Sequence, residues 1–173
     1  LYNIKIELED LGLKYTEPES YKGILNKITE SKVDQQKYLK RFENTLKSGL
    51  DKENFEYEIK GRFKSIYSIR KKMITQNVTF NEVYDKFAIR IIYEPNSNDD
   101  KFDAWKIYTI VTDYFKPNPS RLRDWISQPK STGYEALHIT VVGPDSQWVE
   151  VQIRSNRMNE IAEKGYAAHF KYK

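Results

Sequence analysis

The chain has 173 residues, with 29 Lys and Arg against 25 Asp and Glu for a formal charge of +4, no cysteine and two histidines. That length suits one domain with a real core, the missing thiols exclude a disulfide framework or thiolate metal site, and two histidines exclude a histidine-rich cage. No apolar run approaches the roughly 20 residues that span a bilayer and no basic-then-apolar leader opens the chain, so a soluble chain without a membrane partner is expected, compatible with a reducing cytoplasm. The mild positive charge favours an anionic partner, nucleotide or RNA, without choosing between them. Opening on Leu1 and closing on KGYAAHFKYK, the sequence reads as a piece excised from something longer.

Ile4, Leu8 and Leu11 fall on one helical face, and the run Thr16, Glu17, Pro18, Glu19 has capping-box spacing with an early proline, so a second helix is predicted to start there. Leu25, Ile28, Tyr38, Leu39, Phe42 and Leu46 continue the pattern to Gly49, where a stop is expected. Residues 1–50 thus predict a charged helical hairpin flanking the main sheet. Phe55, Tyr57 and Ile59 alternate with Glu56, Glu58 and Lys60, a half-buried strand running into Gly61. A short basic helix over 65–73, a second capping box at Thr79 and Glu82, and the buried strand FAIRIIYE follow, and PNSNDD is a loop. Residues 101–115 predict a helix with Phe102, Trp105, Ile107, Tyr108 and Val111 on its apolar side. The next segment, KPNPSRLRDWISQPKSTG, holds three prolines and no periodicity, and a loop of that length in a compact domain is functional or disordered. ALHITVV and WVEVQIR, separated by GPDSQ, predict a hairpin, and 156–170 returns to helix. The sum is an α+β fold: one domain with a mixed, largely antiparallel sheet flanked by helices and a core over 51–173.

Chemistry concentrates in four places. In WVEVQIR the alternation puts Glu150, Gln152 and Arg154 on one face, and its hairpin partner adds His138 and Thr140. A solvent-facing strand alternates in the same way; the mixture of carboxylate, amide, guanidinium and imidazole is what suits a metal-phosphate site. RFKSIYSIRKKM gathers five basic side chains and two serines just after a strand, where free helix N–H groups and ammonium groups together favour polyphosphate, although a solvated basic face has the same composition. Asp85, ahead of FAIRII, is a carboxylate at a strand edge that could hold Mg²⁺ together with substrate phosphates, and Arg90 inside that strand needs a partner or a plane to stack on, a structural salt bridge being the plainer account from the residues alone. PKSTGYEALH offers Tyr134 to a base, with Lys130, Arg121 and Arg123 for phosphates.

In order, GRFKSIYSIRKKM, VYDKFAIRII, RLRDWISQPKSTGYEALHITVVGP, VEVQIR and MNEIAEKGYAAHFKYK closely resemble the synthetase domain of RelA/SpoT-type alarmone synthetases, the (p)ppGpp pyrophosphokinases of the stringent response. The resemblance covers about 61–173 and implies a nucleotidyltransferase-like fold that moves pyrophosphate from ATP to the 3′-hydroxyl of GDP or GTP with Mg²⁺. It implies that Arg62 and Arg90 sandwich the adenine while Lys64, Ser68 and Lys72 contact the ATP phosphates. Asp85 would bind the metal, Glu150 would activate the acceptor hydroxyl or share the metal, and Gln152 would position nearby groups. Tyr134 would stack on the guanine, with Lys130, His138 and Arg123 along the acceptor phosphates. The chain departs from the family pattern at Thr132, Ala136 and Ile139, which bears on the shape of the acceptor loop. The run Arg121, Leu122, Arg123, Asp124 resembles the basic variant of bifunctional synthetase-hydrolases, so a hydrolase domain before this one and regulatory domains after it are expected in the parent protein, with any ribosome or tRNA contact made through those domains. Two rival readings are a catalytically inactive RNA- or ribosome-binding module and a transferase of nucleotide rather than pyrophosphate. The pair Asp85 and Glu150 argues against the first, because an RNA binder gains nothing from carboxylates in its anion site.

Overall fold

The computed structural model describes residues 2–83 and 85–170. Helices α1 (Tyr2–Thr16) and α2 (Pro18–Lys52) form the predicted hairpin, with Pro18 in the first turn of α2, where its missing N–H costs nothing. The capping box expected at this junction does not form. Glu17 precedes the helix without a side-chain cap, and the Thr16 hydroxyl donates back to Gly12 O at 2.8 Å.

Gly49 is not the stop of α2, which runs on to Lys52. The left-handed position that ends it belongs to Asn54, at φ 57°, whose N–H donates to Asp51 O while Phe55 N–H donates to Leu50 O. Gly49 serves packing instead. A Cβ there would lie 2.8 Å from Ile110 Cγ2, so its absence lets α2 meet the helix that follows the second strand.

Five strands form one sheet in the order β1 (Tyr57–Phe63), β2 (Phe87–Tyr93), β5 (Trp148–Ser155), β4 (Leu137–Val142), β3 (Arg123–Asp124). Among the described residues only β2 and β5 pair in parallel, so the sheet is mixed and largely antiparallel as predicted. The third helix, α3 (Ile66–Gln76), follows β1 with Ser65 as its N-cap, and the Thr79–Glu82 capping box forms on the 3-10 turn Phe80–Glu82. The hairpin is β4–β5. The proline-rich segment is ordered: Pro119–Arg121 makes a 3-10 turn, and β3 then pairs with β4 as the fifth strand.

One face of the sheet builds the core. Ile59, Ile89, Ile91, Leu137, Ile139, Val141, Val149, Val151 and Ile153 pack against Tyr38, Phe42, Leu46 and Leu50 of α2 and against Ala104, Ile107 and Val111 of α4 (Asp100–Tyr114). The apolar side expected for α4 is displaced. Phe102 is 64% exposed, whereas Asp103 is buried because its carboxylate accepts Asn96 N–H at 2.8 Å and Ser97 N–H at 2.9 Å, tying down the preceding loop. A smaller cluster of Leu13, Ile24, Ile66, Ile69 and Phe80 fastens α3 to the hairpin, and α5 (Asn156–Phe170) returns over β5 and β2.

Candidate active site

Strand register delivers the predicted site residues to the face opposite the core. Directly paired residues present their side chains on the same side of a sheet. Along one row Arg62 pairs with Ala88, Ala88 with Glu150 and Glu150 with Thr140; along the next, Arg90 pairs with Gln152, Gln152 with His138 and His138 with Arg123. Seven residues singled out from alternation or resemblance therefore share one face of the five strands.

At one end of this face two carboxylates share one ammonium. Lys64, where the chain leaves β1, places Nζ 3.5 Å from Glu150 Oε2 and 3.8 Å from Asp85 Oδ2. Lys72, from α3, pairs with the same Asp85 oxygen, and Gln152 Nε2 donates to Glu150 Oε1 at 2.9 Å. Burial pushes the Glu150 carboxyl up, but the Lys64 ammonium and the Gln152 amide outweigh it and hold the carboxyl below its ordinary range, so it is ionised at neutral pH. Burial and the nearby Lys64 charge lower Lys72.

The other end is aromatic and basic. The Tyr134 hydroxyl and His138 Nε2 are 2.6 Å apart and their rings meet edge to face, while His138 Nδ1 lies 3.9 Å from Glu150 Oε1. Burial, opposed by Glu150 and aided by Lys130, lowers His138 to about 4, so it is a neutral imidazole. The tautomer that suits both neighbours accepts the Tyr134 hydroxyl at Nε2 and carries its proton on Nδ1, towards the carboxylate. Lys130 holds its ammonium 4.7 Å from the Trp125 ring centre and 5.5 Å from that of Tyr134. The turn presenting Tyr134 closes by Gly133 N–H to Lys130 O at 2.8 Å, with Gly133 at φ 83°, a conformation glycine adopts without strain. Two of the three departures from the family pattern face inward: Ala136 is fully buried and Ile139 sits on the core face, so neither side chain lines the site.

Other predicted residues arrive differently. Two of the N–H groups at the start of α3 are already engaged: Tyr67 N–H donates to Asp10 Oδ1 at 2.8 Å and Ser68 N–H to Ser65 Oγ at 3.2 Å. Ser68 Oγ accepts the Ser65 hydroxyl at 2.7 Å, and Arg123 turns its guanidinium to the carbonyls of Ser120 and Leu122, at 3.4 and 3.2 Å, away from His138. Arg62 stands on the exposed edge strand beside Arg90, whose guanidinium is lowered by burial and then by the Arg62 charge.

Arg154 lies on the predicted face but is only 2% exposed, with its guanidinium carbon 5.9 Å from the Tyr134 ring centre. Two neighbours escape a sequence reading. Trp125 supports Lys130 from inside the proline-rich segment. Glu163 reaches Arg90 from α5, a contact set by where that helix packs and by no local pattern. Tyr84 and 171–173, within the quoted motifs, lie outside the described residues. A separate groove of about 680 Å³, lined by Tyr38, Arg41 and Asp145 among others, shares no residue with this cluster.

The mixed, largely antiparallel sheet with helices packed on it has the nucleotidyltransferase-like fold. The family described as "Region found in RelA / SpoT proteins" matches residues 61–173, and the chain belongs to it. It is 41% identical over 174 residues to a probable guanosine-3′,5′-bis(diphosphate) 3′-pyrophosphohydrolase of Synechocystis and 39% identical over 170 residues to a GTP pyrophosphokinase of Myxococcus xanthus, covering 100% and 98% of this chain. The chain spans 22% of the length of each of these relatives. The fold matches that of small alarmone synthetase 1 from Bacillus subtilis, solved bound to its product pppGpp, with TM-score 0.59 and 20% identity over 85% of this chain and 82% of that one. At that identity the likeness is one of fold.

Proposed function

We propose that this domain is a (p)ppGpp synthetase that transfers pyrophosphate from ATP to the 3′-hydroxyl of GDP or GTP. The observation that carries the reading is the shared ammonium: Lys64 lies within 4 Å of both Asp85 and Glu150, on a sheet face otherwise dominated by cations. A site for anions alone has no use for two carboxylates at its centre, whereas phosphoryl transfer needs both a cation site and an acceptor for the hydroxyl proton.

The two carboxylates fit a magnesium ion. They supply hard oxygen donors that already share one cation, the Lys64 ammonium. Two protein oxygens, with substrate phosphates and water completing the shell, is the usual way Mg²⁺ is held. Asp85 and Glu150 would hold it, and bound there it would neutralise charge on the transferred group.

The chain's own residues do the rest. Arg62 and Arg90 would take the adenine between their planes, and Lys64, Lys72 and the Ser68 hydroxyl would turn to the ATP phosphates. The acceptor 3′-oxygen attacks the β-phosphorus, its proton passes to Glu150, the bond from the β-phosphorus to the bridging oxygen of the α-phosphate breaks, and AMP leaves with that electron pair. Tyr134 would stack on the guanine, with Gln152 orienting Glu150 and with Lys130, neutral His138 and Arg123 along the acceptor phosphates. Arg123 must turn from its loop carbonyls to do so. Incubation with γ-labelled ATP, GDP and Mg²⁺ tests the reading: label should appear in a guanosine product and unlabelled AMP should accumulate. Label remaining in ATP, or released only as inorganic phosphate, would overturn it.

A further inference from the structure

The last family motif, on α5, is given no chemical role by the reading above, yet it sends one side chain to the polar face. Glu163 Oε1 lies 3.3 Å from Arg90 NH1 and 4.0 Å from Arg154 NH2. Both arginines are covered, at 14% and 2% exposure, whereas Glu163 is 56% exposed and approaches from outside. Arg90 Nε, Arg154 Nε and Arg154 NH2 are buried without hydrogen-bond partners among the described residues. Arg62 adds a third positive charge beside Arg90. Three guanidinium groups thus crowd one region, with one carboxylate among them.

Like charges this close repel, and a long side chain without a fixed partner samples several rotamers. The hydrogen bond from NH1 to Glu163 is what fixes the end of Arg90. We propose that Glu163 is a positioning residue for the donor nucleotide: its carboxylate holds the Arg90 guanidinium on the polar face in the plane that receives a purine base, and ties it to Arg154 beneath Tyr134. The inference rests on the reading of Arg90 as an ATP ligand. Glu163 touches no substrate in this scheme. It acts by sparing the nucleotide the cost of ordering Arg90 and of separating it from Arg62.

Glu163→Gln removes the charge and keeps the size. The Michaelis constant for ATP should rise roughly three- to fivefold, the scale of an exposed ion pair, and the gap between variant and wild type should narrow as salt is raised. Maximal rate, acceptor Michaelis constant and thermal midpoint should stay as in wild type, and Glu163→Asp, which keeps the charge on a shorter arm, should recover part of the loss. Calorimetric binding of a non-hydrolysable ATP analogue to the same proteins separates this idea from the proposed activity. A wild type that binds the analogue but transfers nothing defeats the activity and leaves the Glu163 comparison standing. Equal analogue affinity in wild type and Glu163→Gln overturns the positioning role, as does a loss accompanied by a lowered midpoint and untouched by salt. A wild type that does not bind the analogue overturns both.

Discussion

The two faces of the sheet are made by the same strands and obey opposite rules. On the core face Ile91, Val151 and Ile153 are fully buried and interchangeable in kind, each contributing apolar area and fit. One residue along each strand, Arg90, Glu150, Gln152 and Arg154 are individually specified by charge and reach. The core face tolerates a change of identity that preserves volume; the polar face tolerates a change of volume better than a change of charge. Stability and chemistry are therefore separable by residue parity, and substitutions that alter one without the other measure how complete the separation is.

The largest effect expected is at Glu150. Glu150→Gln keeps volume and hydrogen bonding but removes the charge that Lys64 balances, and since a general base contributes about 10² to 10⁴-fold, the synthesis rate should fall by at least about a hundredfold. The thermal midpoint should hold, because Lys64 keeps Asp85 as a counter-ion. Retention of more than about a tenth of the rate would place the proton acceptor elsewhere.

On the other face Ile153→Ala should do the reverse. It deletes a fully buried side chain between Ile91 and Leu137, at a cost of about 2–5 kcal/mol in stability by denaturant titration. Activity per folded molecule should be little changed at a temperature where the variant is still native. A specific activity that falls as far as for Glu150→Gln would mean that the faces are coupled and parity does not divide them.

How much of this division could be read from sequence follows from its origin. Alternation is local, so the membership of Glu150, Gln152 and His138 in one face is visible in strand periodicity, whereas Arg90, inside a strand apolar on both sides, is pointed to only by the family motifs. What depends on packing is visible in neither. Gly49 has the composition of a helix stop and serves a close helix contact; Phe102 has the spacing of a core residue and is exposed, because Asp103 is drawn inward by two loop amides. Similarly, the basic run after β1 suggests amides open to phosphate, and only the fold shows Asp10, from a helix more than fifty residues earlier, already bonded to one of them. Glu163 is the extreme case, since its value lies wholly in where α5 comes to rest.

Within the polar face, the acceptor end sharpens the contrast. Tyr134→Ala should weaken binding of guanine nucleotide by about 1–3 kcal/mol, the worth of a base stacked on an aromatic ring, with ATP-analogue affinity nearly unchanged. Calorimetry with each nucleotide separately reads both. Equal losses for the two would mark the ring as a structural cover for Arg154 and a partner of His138, with no base of its own.

Arg62 offers the smallest effect and the strictest test, because there the two properties should move in opposite directions. It stands on the exposed edge strand, and its charge depresses the Arg90 guanidinium, a sign that the folded state holds the two cations at some cost. Arg62→Ala removes that repulsion, so the thermal midpoint should stay level or rise slightly. The same substitution removes one of the two planes proposed to enclose adenine, and a cation facing a ring system is worth about 0.5–2 kcal/mol, so ATP affinity should drop by roughly two- to thirtyfold while acceptor affinity stays level. Restoring charge without the planar group, as in Arg62→Lys, should recover the phosphate-directed attraction but not the stacking, leaving ATP binding between the other two proteins. If Arg62→Ala instead lowers the midpoint and leaves ATP affinity untouched, Arg62 belongs with the structural ion pairs of the surface, and the adenine site must be sought away from the β1 edge.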